Sequence, residues 1–123
     1  MKENAKKVLV VSRSAEFHEE LFRGLSRRGV TGLQAKMAVL SALSQSEAED
    51  LMRGRSISAI VLDGTAMAFR WIARKMRRGG FTGPIMVVSD DRDARDAFLD
   101  EGCSHQARVC AAAGEICDAL GID

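Results

Sequence analysis

The sequence has little of what several large functional classes require. Its longest apolar runs are a handful of residues, far short of the roughly 20 needed to cross a bilayer. The N-terminal MKENAKK is not followed by an apolar segment of the secretory kind, so a cytoplasmic location with no membrane partner is expected. Cysteine is scarce: Cys103, Cys110 and Cys117 cannot all pair with one another and form no CxxC. They read as small buried hydrophobes in a reducing compartment. His18 and His105 are the only histidines, so a four-ligand zinc site would need an unusual ligand set. No glycine-rich phosphate loop follows the first apolar run, and no Ser-His-Asp or Cys-His arrangement suggests itself, which argues against an enzyme. Neither sign of charge dominates. With a formal net charge of +1, a nucleic-acid partner would need a local patch.

What is present fits one domain over residues 1–123, with 46% apolar and 28% charged residues. Such a chain buries roughly two-thirds of its unfolded surface, enough for one core. Val8 to Val11 is a continuous aliphatic run, the signature of a parallel strand covered on both faces. Ser12 or Ser14 then offers an N-cap, and Phe17, Leu21, Phe22 and Leu25 follow at helical spacing up to Arg27-Arg28-Gly29. Leu33, Ala35, Met37 and Val39 alternate with Gln34 and Lys36, predicting a second strand whose end is blurred by LSAL. Ser44 to Glu47 reads as a capping box for a short helix closed by Gly54.

Ile57 to Leu62 predicts a third strand ending at Asp63-Gly64. Ala66 to Arg78 is the clearest amphipathic helix, with Phe69, Ile72, Ala73 and Met76 on one side and Gly79-Gly80 as its stop. Pro84 opens a fourth strand, IMVVS; Ala94, Ala97 and Phe98 line a helix closed by Gly102. A weak fifth strand is read at Gln106 to Val109, before a final helix carrying Ile116, Ala119 and Leu120. This alternation predicts an α/β fold: a doubly wound parallel sheet of about five strands with helices on both faces. Ligand crevices in such folds lie at the carboxyl ends of the strands. Those ends present Ser12-Arg13, Asp63-Gly64-Thr65 and Ser89-Asp90-Asp91.

The stretches KKVLVVS, SAIVLDG, GPIMVVSDD and FLDEGCSHQARV, in this order, resemble the receiver domain of two-component response regulators, the CheY-like family. The resemblance runs across nearly the whole chain. It implies the strand order 2-1-3-4-5 and a place in bacterial phosphorelay signalling. It also puts Asp63 at the phosphoacceptor position and Ser89 at the position that contacts the phosphoryl group.

The departures matter as much. The acidic pair that holds Mg²⁺ in the family corresponds here to Ser12 and Arg13. Magnesium demands hard oxygen ligands, and this substitution leaves Asp63 and a backbone carbonyl at Thr65. The family's lysine falls at Val109, with Arg108 the nearest cation, and the aromatic switch position falls at Gln106. The segment from Gly29 to Asp63 is several residues longer than the family's, so a remodelled second strand and helix are expected. Phosphoryl transfer depends on positioning and on metal neutralisation of charge. The resemblance therefore implies a degenerate receiver, or pseudo-receiver, with weak or absent Mg²⁺ binding. It would act through protein partners in a signalling pathway, as a monomer or weak dimer.

Other readings stay open on the sequence. Arg13 is expected to pair with Asp63 and fill the cation position, because a buried unpaired charge is costly; the alternative is that it points to solvent. Asp90 and Asp91 compete as partners, and a working receiver would recruit metal through one of them together with Asp63 and Thr65. The basic side of the third helix, Arg70, Arg74, Arg77 and Arg78 with Lys75, offers a surface for an acidic protein ahead of nucleic acid. Trp71 beside it reads as a rim core residue or an interface anchor, and Ala66, Met67 and Ala68 would extend that surface. The family's usual signalling face would carry Ala97, Asp100, Gln106, Val109 and the final helix.

Overall fold

A computed structural model describes residues 5–32 and 35–122. The strands are β1 (Lys6–Val11), β2 (Met37–Ala42), β3 (Ala59–Asp63), β4 (Ile85–Val88) and β5 (His105–Ala107). The helices are α1 (Ala15–Arg27), α2 (Gln45–Met52), α3 (Arg70–Arg78), α4 (Arg92–Asp100) and α5 (Ala112–Leu120). All neighbouring strands pair in parallel, in the order β2-β1-β3-β4-β5. This is the doubly wound sheet expected from the strand–helix alternation.

The aliphatic runs explain the layers. Side chains alternate across a strand, so a strand covered on both faces must be apolar at every position. Val8 and Val10 pack with Leu21, Leu25, Ile116 and Cys117 on the α1/α5 side. Leu9 and Val11 pack with Phe69, Ile72 and Phe98 on the other. β3 is buried at all its positions. Each such side chain contributes about 1.5–3 kcal/mol on leaving water, which fixes where the polar strand ends must lie.

The expected caps form. Ser14, not Ser12, caps α1 by accepting the Phe17 N–H at 3.2 Å. At α2 the Ser44 hydroxyl accepts the Glu47 N–H at 3.2 Å, and the Glu47 carboxylate accepts the Leu43 N–H at 2.7 Å. α3 buries Ile72, Ala73 and Met76 as its periodicity requires. It starts later than expected, because Met67–Phe69 forms a separate 3-10 turn that seats Phe69 in the core.

Other boundaries also moved. β2 begins at Met37, since the Lys36 and Met37 N–H groups both donate to the Val30 carbonyl and turn the chain there. The Leu33 and Gln34 part of the predicted strand lies outside the described residues. β5 ends at Ala107, because the Val109 N–H donates to the Asp90 carboxylate at 3.0 Å and Val109 enters a 3-10 turn. Cys103 and Cys117 are buried as expected, but Cys110 is exposed. Trp71 is 41% exposed, so it is not a rim core residue. Among the described residues no helix is long and apolar enough to cross a membrane.

Candidate functional site at the strand ends

Register brings the site together. Val11 pairs with Leu62, so Ser12 and Asp63 come next on adjacent strands, and Asp63 pairs with Val88, the residue before Ser89. Among the described residues, the buried polar or charged side chains are Ser12, Asp63 and Ser89, exposed by 0%, 4% and 3%. Buried polar groups need partners, and a buried carboxylate needs several.

Asp63 finds its partners within the chain. The Ser12 hydroxyl donates to Asp63 Oδ2 at 2.6 Å. The Thr65 N–H and hydroxyl donate to Asp63 Oδ1 at 2.9 and 2.8 Å. Ser12 is itself held, because its Oγ accepts the Ser14 N–H at 3.0 Å and its carbonyl lies 2.8 Å from His18 Nε2. Hydrogen bonds to a charged acceptor are the strong ones, so this cage offsets much of the carboxylate's burial without a cation. Gly64 lets it close: a Cβ there would lie 2.7 Å from Ser89 Cβ and 3.1 Å from the Val88 carbonyl oxygen.

The expected Arg13–Asp63 pair does not form. Arg13 is exposed, and its guanidinium sits 5.7 Å from the Phe69 ring centroid. Successive side chains leave an extended segment on opposite sides, so with Ser12 turned in to Asp63 its neighbour is directed outward. A hydroxyl, not a guanidinium, takes the place beside the carboxylate.

The remaining positions are also occupied with local bonds. Ser89 Oγ accepts the Asp91 N–H at 3.0 Å, and Asp91 in turn caps α4 by accepting the Asp93 N–H at 3.0 Å. Asp90 accepts the Val109 N–H and lies 3.8 Å from Arg108 Nε. Val109 is 41% exposed, and among the described residues no cationic side chain forms an ion pair with Asp63. Gln106 Oε1 accepts from Arg95 Nε at 2.9 Å, while Arg95 also donates to the Ser89 carbonyl at 2.9 Å.

Magnesium takes hard oxygen ligands, commonly carboxylates. Beside Asp63 the chain places a neutral hydroxyl already committed to it, and the next residue turns a guanidinium outward. Among the described residues, no group of three or more His, Cys, Asp or Glu side chains is placed to hold a metal ion.

The basic side of α3 is less uniform than its sequence suggested. Arg77 is turned inward to the carbonyls of Gly102, Phe81 and Gly83 at 2.9, 3.0 and 2.7 Å, so it is a structural pin. Arg74 bridges to Glu101 at 2.7 Å and Lys75 to Glu49 at 2.6 Å. The Arg70 and Arg74 guanidiniums lie 4.5 and 4.8 Å from the Trp71 ring centroid.

Sequence reasoning missed the side-chain roles of Thr65, His18 and Arg95. Thr65 had a signal, since an aspartate followed two residues later by a threonine favours a local side chain-to-backbone bond. The reach of Arg95 across to Gln106 had none.

The doubly wound sheet and its strand order are those of the CheY-like receiver fold. The chain is similar to a response regulator from Thermotoga maritima, with a TM-score of 0.76 and 15% identity over 96% of this chain and 99% of that one. The receiver domain of the NarL response regulator from Mycobacterium tuberculosis matches with a TM-score of 0.71 and 17% identity, over 96% and 94% of the two chains. A response regulator from Burkholderia pseudomallei with a phosphorylated aspartate, a calcium ion and citrate matches with a TM-score of 0.72 and 22% identity, over 94% of this chain and 66% of that one. No family model matches the sequence, and no curated protein matches it.

Proposed function

We propose that this chain is a pseudo-receiver: a receiver-fold signalling module that works by binding protein partners and does not run an Mg²⁺-dependent phosphorylation switch at Asp63. The observation that carries the reading is the cage around that carboxylate, in which both oxygens accept hydrogen bonds from Ser12 and Thr65. These bonds draw electron density from both oxygens, which weakens Asp63 as a nucleophile toward a phosphoryl donor. The transferred group would then add negative charge where the ion pairs among the described residues put no cation. The Burkholderia neighbour, by contrast, carries a phosphorylated aspartate together with a calcium ion. The reading includes a cytoplasmic, monomeric or weakly dimeric module, without catalytic activity of its own.

The test is incubation with acetyl phosphate and Mg²⁺ followed by intact-mass measurement. Wild type is expected to stay at its unmodified mass. A single phosphoryl adduct on wild type that is absent from Asp63→Asn would overturn the reading.

A further inference from the structure

If the strand ends are closed, the partner must be met elsewhere, and this inference rests on that reading. Trp71 is the chain's sole tryptophan, and it stands 41% exposed on the outer side of α3. Met67, four residues earlier in the 3-10 turn that leads into α3, is a second exposed apolar side chain, at 38%. Both the Arg70 and Arg74 guanidiniums lie over the indole, at 4.5 and 4.8 Å from its centroid. Such contacts hold the ring in one place before any partner arrives, which lowers the ordering cost of binding. Arg74 also bridges to Glu101 at 2.7 Å, whereas among the described residues the half-buried Arg70 forms no ion pair, so its charge at the edge of this apolar anchor is uncompensated. Tryptophan and arginine together are the composition of interface hot spots.

We propose that Met67, Arg70, Trp71 and Arg74 form the docking surface, and that its occupant is an acidic protein segment carrying one large apolar side chain. Charge complementarity selects this occupant. A carboxylate pairs with the planar Arg70 fork, while the neighbouring apolar residue lies on the indole and Met67. Nucleic acid is the poorer fit. Tracking a phosphate backbone needs a run of open cations, but Arg77 is spent on three carbonyls, and Arg74 and Lys75 already have acidic partners.

The test is selection of binders from a random peptide display library on the immobilised full chain. Recovered peptides are then titrated while Trp71 fluorescence is followed. The expected peptides are rich in Asp and Glu around a single aromatic or aliphatic residue, and they shift the Trp71 emission. Added salt should weaken them. Trp71→Ala and Arg70→Glu should each weaken binding at least about tenfold, as hot-spot changes do. Asp63→Asn should leave it unchanged. Circular dichroism of both surface variants checks that they remain folded. The proposal is overturned by failure to enrich any peptide, by peptides that bind Trp71→Ala as well as wild type, or by a DNA oligonucleotide that binds this face more tightly than the peptides. Self-association lost in Trp71→Ala also overturns it, since the occupant would then be a second copy of the chain. None of these outcomes depends on the acetyl phosphate result, so the two readings can fail separately.

Discussion

Asp63 and Trp71 lie close in sequence, yet the fold treats them in opposite ways. Asp63 is 4% exposed and receives three hydrogen bonds from Ser12 and Thr65. Trp71 is 41% exposed, with the Arg70 and Arg74 guanidiniums over its ring and Arg74 also bridged to Glu101. The carboxylate at the strand ends is thus held by the chain's own donors, whereas the indole on the outer side of α3 is left open to a partner. A bonded polar cluster contributes to stability and fixes geometry, whereas an exposed aromatic costs little in the free protein and gains when covered.

This contrast can be broken from either side, and the strand ends should give the larger effects. Gly64→Ala should cost most, about 3 kcal/mol, because its Cβ meets Ser89 Cβ at 2.7 Å and the backbone oxygen of Val88 at 3.1 Å. Urea denaturation measures it. Ser12→Ala should follow, at about 2 kcal/mol, since it strips one hydrogen bond from a buried carboxylate and leaves the Ser14 N–H without its acceptor. The same denaturation series should find Arg13→Ala below about 1 kcal/mol, as suits an exposed cation–π contact. Equal losses for Ser12 and Arg13 would mean that the guanidinium supports Asp63 after all.

Beneath α3 the packing makes a smaller, pH-dependent prediction. Burial pushes the Cys103 thiol from 9.0 up to about 12, partly opposed by the charge of Arg77. An acid whose folded pKa is raised stabilises fully below its unfolded pKa and loses that contribution above it. Stability should therefore decline as pH rises from about 9 toward 12, and Cys103→Ala should flatten that part of the curve. Melting temperatures across this range measure the slope.

The fold was legible because its signals are redundant. Val8 to Val11 and Ile60 to Leu62 are apolar at every position, which a strand covered on both faces demands. Ser44 and Glu47 announced their helix by a capping box that forms. Boundaries were less legible where one bond decided them. Nothing local to Gln106–Val109 shows that Asp90 will take the Val109 N–H and end β5 early. At the site, the positions were readable but the directions were not. The sequence places both Ser12 and Arg13 beside Asp63, and charge alone favours the arginine. Which of two successive side chains turns inward depends on the strand's register against β3, and that register gave the place to the hydroxyl. The Trp71 cluster had a visible signal in arginines one residue before and three after it, the latter at helical spacing. The loss of Arg77 to three carbonyls did not.

The central claim is that Ser12 and Thr65 hold Asp63 without a metal, and that Ser12 and Arg13 supply no carboxylate to bind one. The most direct measurement is a Mg²⁺ titration of wild type and of the Ser12→Asp/Arg13→Asp double variant, followed by melting temperature. Without metal, the double variant should melt below wild type, because at position 12 it replaces a hydrogen-bond donor to Asp63 with a second carboxylate. Added Mg²⁺ should raise its melting temperature saturably, while the wild-type curve stays flat over the same range. A saturable rise in wild type that vanishes in Asp63→Asn would contradict the account.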